Sequence, residues 1–570
     1  MTIAGIRIRN FRGIKELDLE LGRVTILVGE NNSGKTSVLE ALKLCLKDAG
    51  SRHPRSFKPL DFHLADESTD PAMASPIEIE IELTFAELSS EKRDKRLEHR
   101  LNRLNVLQST NDRRRYVRMR VACQFDPEEN DFVQTWSFLG QGREALDGLT
   151  QNGLNTALRE IRQEVQIHYL STLRDAARNF GARGEFWRPF LRDSQLSDEK
   201  RSEILQELQA INDLIVSSHG SFEQVKTQLS QLHSFVPVAG KDAVSIEALP
   251  SRMLDILSRT QVQIGSASGA KIPLVRHGEG TQSLSVLMLF SAFLKAQAQG
   301  TALLALEEPE AHLHPSAVRN VRNLLEGIGG QKVISTHSGE LLAETSIYDI
   351  RRLARTRDGI KAFQVPPKHL SAEEVRKFNN DIRRTRGELL FARCWLLVEG
   401  QTEAWIFPAA ARALGINLHA DGIRIVESRQ SDEGMLAKVA NALGIAWFCV
   451  GDRDENRNKV KSKLEDHLNG ADEEDRFSFP YPNIEVNLLQ NGFKEIYMRH
   501  VRQVPLKAIT AEQGTEQYWV EVVAKCLKGR KTKAAAEVAD AMESKESDGV
   551  PEAIRRVLEK VRFLATDGHS

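Results

Sequence analysis

Val24-Thr-Ile-Leu-Val28 is followed by Gly29-Glu-Asn-Asn-Ser-Gly34-Lys35-Thr36, and then by Ser37 to Lys47 with Val38, Leu39, Leu42 and Leu46 at helical spacing. These 24 residues decide the fold. A continuous apolar, β-branched run predicts a buried central strand. The octet after it fits G-x-x-x-x-G-K-[ST] without a mismatch and stands in the strand–loop–helix context that a phosphate-binding loop requires. Gly29 and Gly34 let the backbone bend so that its N–H groups face phosphates, and the helix N-terminus adds partial positive charge. Asn32, Ser33, Gly34, Lys35, Thr36 and Ser37 are therefore nucleotide-binding candidates. Lys35 can reach the β- and γ-phosphates, and the Thr36 hydroxyl can hold Mg²⁺.

Such a loop needs an acidic strand beside it. Ala302-Leu-Leu-Ala-Leu306 runs into Glu307-Glu308-Pro309-Glu310-Ala311-His312-Leu313-His314-Pro315. Glu307 is expected to hold Mg²⁺ through water and Glu308 to orient the attacking water. His312 and His314, two residues apart in a loop, read as structural hydrogen bonders rather than metal ligands. Upstream, His277-Gly-Glu-Gly-Thr-Gln-Ser283 feeds an apolar helix and makes a second anion-binding turn. Downstream, Val333-Ile-Ser-Thr-His337-Ser338 is a short strand with a histidine where a γ-phosphate could be sensed. Ile6, Ile8 and Phe11, then Leu17, Leu19 and Leu21, alternate with charged residues and predict two opening strands.

These elements, in this order, resemble the ABC-type ATPases of the RecF, SMC and Rad50 group. The match comprises Ile8-Arg-Asn-Phe-Arg12, the loop at 29–36, a degenerate signature at 278–283, the acid strand at 303–308, the turn at 310–315 and His337. The resemblance implies ATP with one Mg²⁺, bound between paired subunits. The family's Q-loop glutamine has no clear counterpart; Asp61 stands near its place.

Lys35 and Glu307 are 272 residues apart, far more than a compact cassette needs. Ile77–Phe85, Val117–Phe125 and Val165–Leu170 read as further cassette strands. Between about 176 and 260, Ile204, Leu208, Ile211 and Ile215, then Val225, Leu229 and Leu232, recur at steps that predict a helical hairpin. Apolar stripes of this kind need a partner, so the insert reads as a dimerisation element.

A polar helix over Ser371–Arg386 leads into a second apolar strand, Cys394-Trp-Leu-Leu-Val398, which stops at Glu399-Gly400 before a helix containing Glu403. Ile423–Val426 and Ile445–Val450 are two more strands, the latter ending in Gly451-Asp452-Arg453-Asp454. Strands that each end in acids place carboxylates along one sheet edge, and oxygen ligands favour Mg²⁺ or Mn²⁺. Asn483-Ile-Glu485 adds another acid, and Lys528-Gly-Arg-Lys531-Thr-Lys533 is a basic cluster.

Leu397-Val-Glu399-Gly400 with Asp452-Arg-Asp454 resembles a Toprim domain. Both halves together resemble the OLD family of ATP-dependent nucleases, a group that includes the nuclease subunit of the Gabija anti-phage system. That resemblance implies an α/β chain with these parts: ATPase residues 1–175 and 261–370, helical insert 176–260, linker helix 371–390, and a Toprim nuclease domain 391–570 with a helical C-terminal part. It implies a Toprim site of Glu399, Glu403, Asp452, Asp454 and Glu485 holding two Mg²⁺ or Mn²⁺ for phosphodiester hydrolysis. A C-terminal lysine joins them, Lys533 before Lys531. DNA as substrate, a homo-oligomer (dimer or tetramer), anti-phage defence and a UvrD-like helicase partner are implied with it. The competing reading is a non-nucleolytic ATP-dependent DNA sensor or clamp of the RecF/SMC type.

Composition narrows the rest. With 41% hydrophobic and 28% charged residues the chain is not a disordered one, and no apolar run approaches a membrane span. A net charge of −1 leaves any nucleic-acid surface local. Five scattered cysteines without a CxxC pair, and an N-terminus without an apolar signal core, predict reduced thiols and a cytoplasmic chain with no membrane partner.

Overall fold

The computed structural model describes residues 1–47, 57–64, 77–87, 95–110, 114–170, 197–222, 224–225, 263–265, 271–296, 301–385, 387–428, 431–502, 509–544 and 546–567. The chain is mixed α/β: an N-terminal half built around the phosphate-loop sheet is followed by a second α/β domain with its own parallel sheet. Three sheets carry the architecture. The first is antiparallel: the opening strands Thr2–Phe11 and Ile14–Glu20 pair with each other, then with Ile79–Ala86, Arg115–Asp126 and Asp131–Leu139. Ile6 faces Leu19 and Ile8 faces Leu17 across the first pair, so the predicted alternation puts one apolar face inward.

The second sheet is the nucleotide platform. Its order is Gly359–Phe363, Ile350–Thr356, Val24–Val28, Gln331–Ser335, Thr301–Glu307 and Val165–Leu170. All pairs are parallel except the first. The carboxyl ends of three central strands therefore bring the phosphate loop, the acid turn and His337 side by side. The third sheet is fully parallel, ordered Ile423–Glu427, Cys394–Val398, Ala446–Asp452 and Phe477–Tyr481.

Strand Cys394–Val398 is buried along its whole length and faces two cores. Cys394, Leu396 and Val398 pack with the C-terminal helices, including Glu552–Asp567. Trp395 and Leu397 pack in a core that also holds Ile26 and Val28 of the phosphate-loop strand. The two halves are thus joined by continuous apolar packing. Arg352, 3% exposed, crosses the same junction. It donates to the carbonyls of Ala392 (2.8 Å), Gly444 (3.0 Å) and Leu443 (3.2 Å), all in the Toprim half. Burial lowers its pKa to about 10, so it stays a cation at neutral pH.

The linker helix is Ala372–Arg384, capped by Ser371 and Glu374 in a reciprocal capping box. In the insert, one helix runs over Asp198–Ser218 with Ile211 and Leu214 exposed. Leu229 and Leu232 of the expected return arm lie outside the described residues. All five cysteines are buried and free. No helix among the described residues is long and apolar enough to cross a membrane.

Replacing Arg352 by Met keeps most of the volume and strands three carbonyls. The expected loss is about 2–4 kcal/mol of stability, since each unsatisfied group costs about 1–3 kcal/mol and relief of the buried charge returns part of it. Calorimetric unfolding of the variant at the wild-type midpoint would contradict the role given to this residue.

Candidate active sites

The phosphate loop is formed as its sequence requires. Gly29 has φ +151°, and a Cβ there would lie 2.2 Å from the Leu353 carbonyl oxygen and 2.6 Å from Ser33 Oγ. Only glycine fits. Lys35 Nζ folds back on the loop, donating to the carbonyls of Glu30 (2.7 Å) and Gly29 (2.8 Å). Burial draws its pKa down to about 8, against the pull of Glu308, Glu30 and Glu307. The Thr36 hydroxyl donates to Glu307 Oε1 at 2.5 Å, and Tyr169 donates to Glu307 Oε2 at 3.1 Å. The two side chains expected to share Mg²⁺ thus meet, 271 residues apart in sequence.

Glu308 sits at φ +45° with its N–H bonded to the Ser335 carbonyl of the neighbouring strand. That bond turns its carboxylate toward His337, whose Nε2 is 3.7 Å from Glu308 Oε1. Burial and the nearby Lys35 cation lower the His337 pKa, keeping the ring neutral. Buried Glu310 braces the loop behind it: it accepts from the Thr336 hydroxyl and from the N–H groups of His337 and Ser338 (3.2 Å each). His314 caps helix Pro315–Gly327 through Ser316, and His312 pairs with Glu279 at 3.0 Å, so both histidines are structural. Asp61 binds Arg12 at 2.8 Å and the Lys58 N–H at 2.9 Å, which makes it a brace for the Asn10–Gly13 turn.

In the Toprim half the acids collect at the carboxyl edge of the parallel sheet. Glu399 follows strand Cys394–Val398 and is exposed at the mouth, as is Asp454. Both line one cleft with Asp452, Ser428 and Glu433. Glu403, in the first turn of helix Gln401–Ala413, is buried, and it accepts from the Gly400 N–H at 3.3 Å. Glu485 is buried on helix Ile484–Leu488, which Asn483 caps. It accepts from Thr402 Oγ1 at 3.1 Å and pairs with Lys531 Nζ at 3.4 Å.

Burial pushes the Asp452 carboxyl up to about 9, with Glu403, Glu399 and Glu485 adding repulsion and Lys531 opposing it. Burial, with Glu485 and Glu399 adding to it, pushes Glu403 to about 8. Asp452 Oδ1 is buried with no hydrogen-bond partner. Carboxyls crowded and desolvated in this way are relieved by a nearby positive charge. The cluster is not a preformed cage: among the described residues no three His, Cys, Asp or Glu side chains converge closely enough to hold an ion. Oxygen-only acids that retain room for water suit Mg²⁺ or Mn²⁺, which keep part of their hydration.

Of the two lysines singled out in the basic cluster, the structure brings Lys531 to the acids. Lys533 is exposed and has no ion pair among the described residues, because a two-residue step turns it about 200° around helix Lys531–Ser544. Sequence reasoning missed Glu30, Arg352, Phe391 and Arg393, which link the sites. Arginines in or beside strands read as surface charge, and nothing local distinguishes them.

Comparison with known proteins agrees with this geometry. Residues 1–388 match the family described as "Protein of unknown function (DUF2813)", and residues 390–454 match the Toprim domain of "Overcoming lysogenization defect protein-like" proteins. The chain is 28% identical to the uncharacterized protein YbjD of Escherichia coli K12, covering 99% of each chain. It is 26% identical to the OLD nuclease of Thermus scotoductus, over 82% of this chain and 86% of that one. To endonuclease GajA of Bacillus cereus it is 22% identical, over 81% and 76%. Relatives named as nucleases, together with the Toprim domain, support a nuclease.

Asp452→Asn removes a carboxyl whose ionisation the crowded edge opposes. In EDTA the variant is expected to be more stable than wild type by about 1–3 kcal/mol. The gain should grow as pH rises from about 4 toward 9: in that window the unfolded carboxyl ionises freely while the folded one resists. Mg²⁺ should raise the wild-type melting temperature and leave that of the variant unchanged. A variant less stable than wild type in EDTA would contradict the repulsion.

Proposed function

We propose that the chain, a DUF2813 family member over residues 1–388 that carries an OLD-like Toprim domain at 390–454, is a nucleotide-regulated, metal-dependent DNA endonuclease. The observation that carries this reading is the strained carboxylate cluster with Lys531 at its edge. Glu399, Glu403, Asp452, Asp454 and Glu485 would hold divalent cations, two in the two-metal form of this chemistry. When bound, such ions activate water and stabilise the leaving oxygen of a phosphodiester.

The chain's own groups do the rest. Glu399, exposed at the mouth, is placed to orient the attacking water. Lys531, held by Glu485, offers its ammonium to the extra negative charge on the phosphate in the transition state. Thr402 and the Gly400 N–H fix the inner carboxylates, so their repulsion is relieved by cations rather than by side-chain rotation. In the other half, Asn32, Ser33, Gly34, Lys35, Thr36 and Ser37 would bind ATP, Thr36 and Glu307 would hold its Mg²⁺, Glu308 would orient water, and His337 would sense the γ-phosphate. The OLD resemblance carries a role in anti-phage defence and a UvrD-like helicase partner into the same proposal.

Supercoiled plasmid with Mg²⁺ or Mn²⁺ tests the reading. Wild type should nick or cut it. Asp452→Ala should reduce the rate at least about 100-fold, and Lys531→Ala should do so more than Lys533→Ala. Glu308→Gln should retain ATP and hydrolyse it slowly. Full activity in Asp452→Ala would end the nuclease assignment.

A homo-oligomer belongs to the same proposal. The ABC-type resemblance implies that the phosphate loop of one subunit meets the signature-like turn of another, so that a second chain would complete the site. Met288, exposed on the signature helix Glu279–Ala296, and Ile211 and Leu214 on the insert offer apolar surface for that contact. Light scattering of nucleotide-free protein should give at least twice 64.0 kDa. A monomer mass would remove the dimerisation role of the insert.

A further inference from the structure

Three consecutive residues join the nucleotide site to the Toprim sheet, and each is held by a different part of the ATPase. The Phe391 ring stacks on the His337 imidazole, with centroids 6.4 Å apart and planes within 10°. The Ala392 carbonyl accepts from buried Arg352 at 2.8 Å. The Arg393 guanidinium forms a fork with the carboxylate of Glu30, a phosphate-loop residue, at 2.5 and 2.8 Å. Phe391 and Arg393 also line, with Glu30, Asn31 and Asn32, a cavity of about 390 Å³ in front of the loop.

On its other side the segment is built into the Toprim sheet. Arg393 N–H donates to the Gly422 carbonyl at 2.8 Å, beside the strand ending at Glu427. Its own carbonyl accepts from Ala446 N–H at 2.9 Å, at the start of the strand ending at Asp452. Arg393 itself leads directly into the strand that ends before Glu399.

We propose that Phe391 and Arg393 are positioning residues through which the nucleotide state of the phosphate loop sets the placement of the Toprim carboxylates. This rests on reading the loop as an ATP site and the acids as a nuclease. Phosphates entering the loop draw Lys35 off the carbonyls of Gly29 and Glu30, which changes the backbone that carries the Glu30 carboxylate. A γ-phosphate also changes what faces His337, and with it the surface under Phe391. The segment has little slack, because its backbone is bonded into both neighbouring strands. From Arg393 to Glu399 is six residues of strand, about 20 Å. A shift of about 1 Å at the reacting groups is enough to change a rate about 100-fold. The Arg393–Glu30 pair is half-exposed, and such pairs contribute little to stability. It can be remade between states without unfolding the junction.

The test uses the full chain, with plasmid cleavage in Mg²⁺ measured without nucleotide, with ADP and with ATP, beside the melting temperature. Wild-type cleavage should differ between states by at least about tenfold. Arg393→Gln and Phe391→Leu should each compress that ratio to within about twofold of one, while melting stays near wild type. Arg393→Lys, which keeps the charge, should restore part of the response. A wild-type ratio in both Arg393→Gln and Phe391→Leu overturns this proposal alone. Wild-type cleavage indifferent to nucleotide overturns the regulatory reading and this one with it.

Discussion

The structure turns on carboxylates held close together where water has been partly removed. Glu403 and Glu485 are buried, and Asp452 has one oxygen without a partner. Repulsion there is opposed by Lys531 on one helix, and by Thr402 and the capping Gly400 N–H of another. Each must be fixed from behind. Helix Lys531–Ser544 packs on helix Gln401–Ala413, and both lie in the core under the sheet. The site is costly to assemble with its carboxylates ionised, and that cost is the physical basis for proposing that it takes up cations.

Magnitudes separate the contacts that hold the two halves together from those that can switch. Arg352 is buried and gives three hydrogen bonds across the junction, where a lost donor strands a carbonyl at about 1–3 kcal/mol. Trp395 and Leu397 add shared apolar core. Those terms dominate cohesion. The Arg393–Glu30 fork, exposed to water, is worth about 0.2–1 kcal/mol at most, which suits a contact that changes with the ligand.

Much of this was legible because it is local. A strand, a glycine loop and a helix in immediate succession specify the phosphate site, and apolar strands stopping at Glu399 and Asp452 specify an acidic sheet edge. The linker helix was readable from Ser371 and Glu374, which form the expected capping box. What was not legible depends on contacts between distant segments. Lys531 and Lys533 are equivalent in sequence, and only the phase of their helix against Glu485 separates them. Asp61 has the right place for a Q-loop residue, yet it braces Arg12. Arg352 follows Arg351 in its strand, where paired arginines read as surface charge, and it is buried where the second half of the chain covers that strand.

The account's central claim is that the Toprim acids form a cation site. The most direct measurement is calorimetric titration of Mn²⁺ into nucleotide-free protein, wild type against Glu399→Gln/Glu485→Gln, both in a Lys35→Ala background that removes the nucleotide site. The account expects saturable binding in the first and its loss in the second. Equal Mn²⁺ affinity in the two proteins would contradict it.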